Sequence, residues 1–102
     1  MGVHIEQGAG KEACRPECLG LYDNYGFNTR DMGKVLSTDE DIPDLRDYDF
    51  NDAASSFYNN TERVVTVYKD VKYGGESLEI QPREAEDVPA GWNDTISSVR
   101  FA

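Results

Sequence analysis

Two copies of one six-residue pattern constrain this chain more than any other feature: Asn51-Asp52-Ala53-Ala54-Ser55-Ser56 and Asn93-Asp94-Thr95-Ile96-Ser97-Ser98, 42 positions apart. Both keep Asn-Asp in front and Ser-Ser behind while the middle pair changes, so the fold is built from two similar units. Upstream of the second copy stand Tyr68 and Tyr73, with Gly75 two positions further on; upstream of the first, Tyr22 and Phe27 keep the same aromatic spacing. The units differ in length. Tyr22 to Asn51 spans 29 positions and Tyr68 to Asn93 spans 25, so four extra residues loop out of the first half.

Segments 19–22, 34–37, 55–58, 64–68, 77–80 and 96–101 are short and rich in β-branched and aromatic residues, and clusters of Gly, Asn, Asp and Pro lie between them. Val65-Thr66-Val67-Tyr68 and Ile96-Ser97-Ser98-Val99-Arg100-Phe101 alternate between an apolar and a polar face. Short strands at this spacing, with no long helical period, predict an all-β sandwich. A chain of 102 residues holds one core. Residues 1–13 are polar with no period and are expected to form a flexible arm before a single domain over 14–102. The run 39–49 carries six acids and one Pro and is expected to be the solvated connection that holds the extra residues.

Twenty acids against ten bases give a formal charge of −10, which speaks against nucleic acid or an anionic membrane as partner, since both reward clustered Lys and Arg. Cations are the expected company, and a monomer with no assigned protein partner is the expected state. No apolar run is long enough to span a bilayer, and residues 1–13 lack the apolar core of a signal peptide. The expectation is a cytoplasmic protein, or a secreted one whose signal has been removed if Cys14 and Cys18 form a disulfide.

An aromatic pair followed by Asn-Asp-x-x-Ser-Ser, given twice between Leu19 and Phe101, resembles the βγ-crystallin domain. The resemblance implies a β-sandwich of two Greek keys, about 18–61 and about 62–102, with two Ca2+ ions shared between them. The motif departs from the family at Thr29, where a Gly follows the second aromatic in the family and lets the hairpin take a backbone conformation closed to residues with a Cβ. The first hairpin is therefore expected to turn differently. Carried over by position, the resemblance assigns the carboxylates of Asp52 and Asp94, the hydroxyls of Ser55 and Ser97, and the main-chain carbonyls of Ala53 and Thr95 as calcium ligands. The carbonyls of Asp23 and Lys69, each following the first aromatic of its hairpin, complete the protein set. The chemistry is reasonable, because calcium takes six to eight hard oxygens and accepts carboxylate, hydroxyl, carbonyl and water together.

Other readings compete. Ser hydroxyls in an Asn-Asp turn can simply bond back to the turn backbone. Asp47-Tyr48-Asp49-Phe50-Asn51 opens like an EF-hand loop, but Asp52 stands where Gly is needed and Tyr58 where a bidentate Glu is needed. Cys14 and Cys18 are a small disulfide, a pair of free thiols or half of a zinc site. The last lacks soft ligands, since His4 is the sole histidine. Trp92 and Phe50, each directly before its hexapeptide, read as core anchors. The two glycosylation patterns at Asn59 and Asn93 read as chance. No nucleophile and base stand in an activating context, so an enzyme is not expected. Cys14 through Tyr22 also resembles the opening of small secreted bacterial metalloproteinase inhibitors with a crystallin-like fold, and protease inhibition is the alternative function. Nothing in the sequence marks the rigid projecting loop that an inhibitor uses.

Overall fold

The computed structural model describes residues 2–50 and 53–102 and contains two antiparallel sheets with no α-helix among them. The strands are β1 (Val3–Gly8), β2 (Leu19–Tyr22), β3 (Gly33–Thr38), β4 (Ser56–Asn59), β5 (Val65–Asp70), β6 (Gly74–Ile80), β7 (Ala85–Asp87) and β8 (Ser98–Phe101). One sheet runs β1-β3-β2-β4-β7 and the other β6-β5-β8. This is the expected all-β, two-Greek-key sandwich.

The crossing of the third segment of each half ties the halves together. β7 belongs by sequence to the second half but pairs with β4 of the first, Phe57 opposite Glu86. Ile42 of the first half bridges Val99 of the second, through N–H to O distances of 2.8 and 2.9 Å in the two directions. Each sheet therefore needs both halves to be complete.

Period-2 alternation places the core. Val65, Val67, Val99 and Phe101 face inward from the second sheet and meet Leu19, Leu21, Leu36 and Phe57 of the first. Phe50 and Trp92 belong to this core as the sequence suggests, with Phe50 fully buried. Burial of a side chain of this size contributes about 1.5–3 kcal/mol.

Two expectations change. Residues 3–8 do not stand loose: β1 pairs residue for residue with β3, from Val3 opposite Thr38 to Gly8 opposite Gly33. The following turn is held by Gly10 N–H to Phe27 O (2.7 Å) and by the Tyr22 hydroxyl to Gly10 O (2.8 Å). Backbone pairing needs no apolar period, which is why composition misses it. The second change concerns the extra residues. β2 and β3 pair Tyr22 with Val35, a separation of 13 (35 − 22), whereas β5 and β6 pair Tyr68 with Ser77, a separation of 9 (77 − 68). All four extra residues thus lie in the first hairpin. The acidic run 39–49 is not merely a solvated loop, since Ile42 and Leu45 from it are buried in the core.

On the outer face of the first sheet a second cluster gathers Cys14, Cys18, Tyr22 and Val35, with Ala13, Phe27 and Tyr58 packed against it. Cys14 lies so close to the sheet that a Cβ at Gly20 would stand 2.8 Å from its Sγ.

Candidate functional site

The described parts of the two repeats, residues 53–56 and 93–98, enter β4 and β8 at the same end of the sandwich, and paired hydrogen bonds relate them by a pseudo-two-fold. Ser55 N–H donates to Tyr22 O and Ser97 N–H to Tyr68 O, each at 2.8 Å. Ser55 O accepts from Val88 N–H at 3.0 Å, and Ser97 O from Leu45 N–H at 2.9 Å. The first serine of each copy is thus fixed by main chain on both sides, one partner coming from the opposite half's crossing segment in each case.

The second serine of each copy, to which the sequence reading gives no role, pins the folded hairpin. Ser56 Oγ donates to Asn24 O (2.7 Å) and accepts from Phe27 N–H (3.2 Å). Ser98 Oγ donates to Asp70 O (2.7 Å) and accepts from Tyr73 N–H (3.1 Å). Phe27 and Tyr73 accordingly both sit at positive φ, 58° and 63°. Their rings pack edge-on against Tyr22 and Tyr68, with centroids 5.4 and 5.7 Å apart. The signal was present in the strict repeat of Ser-Ser, but only the fold shows that the two hydroxyls point to different tasks.

Of the expected ligands, Ser55 and Asp94 are brought together across the two halves. Ser55 Oγ lies 2.6 Å from Asn93 Oδ1 and 3.3 Å from Asp94 Oδ1, and Asp94 N–H donates to Ala54 O at 3.1 Å. A serine hydroxyl has one proton to give, so three oxygens converge where one hydrogen can serve a single pair. Asn93, not assigned from sequence, belongs to this group. Ala53 packs half-buried against the core beside it. In the second copy Ser97 Oγ approaches Thr95 O at 3.5 Å, and the Thr95 hydroxyl donates to Trp92 O at 2.7 Å. Asp52 lies outside the described residues. The Asn59 pattern is closed to a glycan, since its buried amide donates to the carbonyls of Arg63, Ile80 and Gln81.

Asp23 and Lys69 occupy equivalent positions with opposite charge. The Lys69 ammonium forms an ion pair with Glu76 at 2.8 Å and lies 5.0 Å from the centre of the Trp92 ring. Glu76 is held below the usual carboxylate range by that hydrogen bond and charge. Asp23 Oδ1 is buried with no hydrogen-bond partner, pressed against Gly33, where a Cβ would overlap it. An orphaned buried carboxylate oxygen is costly unless a cation or donor meets it.

This donor set suits a hard cation. Hydroxyl, amide, carboxylate and carbonyl oxygens from turns match calcium, while the thiols that zinc would want are elsewhere, buried in the outer cluster as free Cys14 and Cys18. Among the described residues no three His, Cys, Asp or Glu side chains gather as a metal site. The Cys14 thiol is pushed up to about 12, chiefly by burial and then by neighbouring Cys18, which makes it a poor nucleophile at neutral pH.

The fold, with a folded hairpin pinned by a serine hydroxyl in each half, defines a βγ-crystallin-type domain. Comparison with solved structures agrees: a structure reported under the evolution of the eye lens βγ-crystallin domain fold matches with a TM-score of 0.80 at 20% identity, covering 97% of both chains. A βγ-crystallin from Ciona intestinalis matches at 0.70 and 27% identity, over 83% of this chain and 99% of that one. Spherulin 3A from Physarum polycephalum matches at 0.70 and 22% identity, over 100% and 95%. Within that class the chain belongs to peptidase inhibitor family I36, whose model matches residues 7–80. No curated protein matches the chain.

Proposed function

We propose that this chain is a calcium-binding protein of βγ-crystallin type, in which two ions are shared between the Greek keys and stabilise the fold or buffer calcium. The observation that carries the reading is the convergence of Ser55 Oγ, Asn93 Oδ1 and Asp94 Oδ1 from opposite halves. Hydroxyl, amide and carboxylate oxygens gathered at these separations are donor types that calcium accepts together. The first site would draw on the side chains of Ser55 and Asp94 with the carbonyls of Ala53 and Asp23. The second would draw on Ser97 and Asp52 with the carbonyls of Thr95 and Lys69, and water completes both. A formal charge of −10 repels itself, and each bound cation relieves it. Calorimetric titration of chelated protein tests the reading. Two calcium ions per chain are expected, with magnesium competing poorly because it demands a tight octahedron; absence of binding heat and of any calcium-dependent melting shift would overturn it.

Membership of family I36 favours a second reading, inhibition of a peptidase. Residues 60–63 form a braced loop: Thr61 Oγ1 donates to Asn59 Oδ1 (2.7 Å) and accepts from Arg63 N–H (3.0 Å), leaving Glu62 exposed. Arg63 folds back on Ala102 O (2.9 Å), so the loop projects little. Stoichiometric block of a zinc metalloprotease, by the wild type and by a calcium-site variant such as Ser97→Arg alike, would establish this activity beside calcium binding.

A further inference from the structure

We infer that β1 is a docking edge for a second copy of this chain: two β1 strands pair antiparallel about a two-fold at Ile5 and join two sheets edge to edge. The inference stands apart from the calcium reading. The sheets end in β1, β7, β6 and β8, and three of these edges are guarded against pairing with another chain. β7 has only three residues, of which Glu86 and Asp87 are acidic. The β5–β6 ladder shifts register between Tyr68 and Asp70, and β6 carries Glu76 and Glu79. β8 is covered, since Val99 exchanges both main-chain bonds with Ile42 and Phe101 N–H donates to Asp41 Oδ1 at 2.7 Å. β1, by contrast, is six residues long with an unbroken register and neither Lys nor Pro. Its Ile5 is 40% exposed although it stands opposite Leu36 on the core side, because the five-stranded sheet overhangs the three-stranded one.

The hydrogen-bond register shows what this edge offers. Asp39 N–H donates to Gly2 O (3.4 Å), one step beyond the β1–β3 pairing, and Asp23 N–H donates to Lys34 O (3.2 Å), one step beyond the β2–β3 pairing. Bonded and non-bonded pairs alternate along antiparallel strands, so β3 turns the main chain of Val35 and Ser37 to β1 and that of Lys34 and Leu36 to β2. On β1 the residues bonded to β3 are then His4, Glu6 and Gly8. The N–H and C=O groups of Val3, Ile5 and Gln7 point out from the edge. With the two-fold at Ile5, Val3 meets Gln7 of the second copy, Ile5 meets its own counterpart, and each of these groups finds a partner. His4 falls opposite Glu6 of the second copy in the closer, non-bonded positions, where an imidazole N–H meets a carboxylate. A two-fold at His4 or at Glu6 would set like residues opposite one another and shorten the ladder. The sequence of β1 thus selects both the partner and the register. A charge of −10 on each copy opposes association, but β1 holds a single acid, Glu6, and Arg15 of the same chain pairs with it at 3.0 Å.

An edge contact of this size associates weakly, so the full chain is followed from about 10 μM to about 1 mM, by sedimentation equilibrium and by amide hydrogen exchange in NMR. The average mass should rise towards that of a dimer. The Val3, Ile5 and Gln7 amides should gain protection only as it rises, while those of His4, Glu6 and Gly8 stay protected throughout. Ile5→Lys sets two ammonium groups together on the two-fold and should weaken the dimer at least about tenfold. His4→Glu faces Glu6 of the second copy with a like charge, whereas His4→Lys keeps an attractive pair; the two variants should differ on the order of tenfold, with His4→Lys the tighter. In every variant, protection at Glu6 and Gly8 reports that β1 still lies on β3. A monomer at all concentrations, or a dimer in which Val3, Ile5 and Gln7 exchange freely, would overturn the inference. So would a dimer that Ile5→Lys leaves intact, or one equally tight in His4→Glu and His4→Lys.

Discussion

In the second half the chain passes from Tyr68 to Ser77 in nine positions, with Gly75 at φ 74°. In the first it takes thirteen positions from Tyr22 to Val35, and Thr29 sits at φ −72°. The short hairpin needs a glycine because a Cβ at residue 75 would stand 2.7 Å from Asp70 Oδ2 at a backbone angle that side chains avoid. The long hairpin moves the left-handed residue back to Asn28, φ 60°, and locks it. Asn28 Oδ1 accepts from Asn24 N–H (2.9 Å), and its amide donates to Gly8 O (3.1 Å) and Lys34 O (3.2 Å). Asparagine tolerates that conformation better than other residues with a Cβ. What is common to both hairpins is the serine hydroxyl beneath them, so the clamp serves both backbone paths while the glycine is required only by the short one.

The repeat made the sandwich legible because it specifies a pair of units, and the aromatic spacing placed both hairpins and their ring contacts. The shift at Thr29 could also be read, since the departure from the family pattern lies in the residue itself. What escaped were features defined by pairing alone. β1 has only the brief alternation Val3-His4-Ile5, with Val3 packed against the core, and β7, Ala85-Glu86-Asp87, has none, so the pairing with a neighbouring strand is what defines both. The four extra residues were misplaced because the acidic run looks more like a loop than the hairpin does. The hydrogen-bond register, not composition, locates an insertion. Ser55 and Asp94 were named by the resemblance and the fold brings them together, while Asn93 beside them is visible only in the geometry.

Calcium should produce the largest effect on the pair of halves. The hexapeptides meet only in the folded chain, so each site at ~100 times its dissociation constant adds about 2.7 kcal/mol. Two filled sites should raise the thermal midpoint by on the order of 20 °C, growing with the logarithm of free calcium. A melting curve identical in calcium and in chelator would break the link between the halves and the ion.

Removing the clamps should come next. Ser56→Ala and Ser98→Ala each leave a hairpin N–H without its acceptor and should each cost about 2 kcal/mol in urea unfolding. A large loss at Ser98 with none at Ser56 would show that the long hairpin stands on Asn28 alone. Gly75→Thr should cost at least about 1 kcal/mol, while Thr29→Gly should cost less than about 1 kcal/mol, as an ordinary loss of backbone restraint. Equal costs would mean that the hairpins share one backbone path after all.

A smaller effect belongs to the outer cluster of the first half. Cys14 at about 12 and Tyr22, also raised by burial, keep protons that the unfolded chain releases from about pH 9 upward. Their folded values lie above the unfolded ones, so their contribution is full below about pH 9 and drains as pH climbs towards 12. Urea midpoints should hold from pH 7 to 9 and then fall, and Cys14→Ala should make the fall shallower, with Cys18 and Tyr22, both also raised by burial, left to drive it. A midpoint independent of pH up to 11 would place these groups in solvent.

The proposed sharing of each ion between the halves is tested most directly by counting calcium sites in Ser55→Ala, in Asp94→Asn and in the double variant, by equilibrium dialysis. Because Ser55 and Asp94 converge from opposite halves, all three proteins should lose the same site and retain one ion. If the double variant lost both ions while each single variant lost one, the two residues would serve different sites, and the shared arrangement would be wrong.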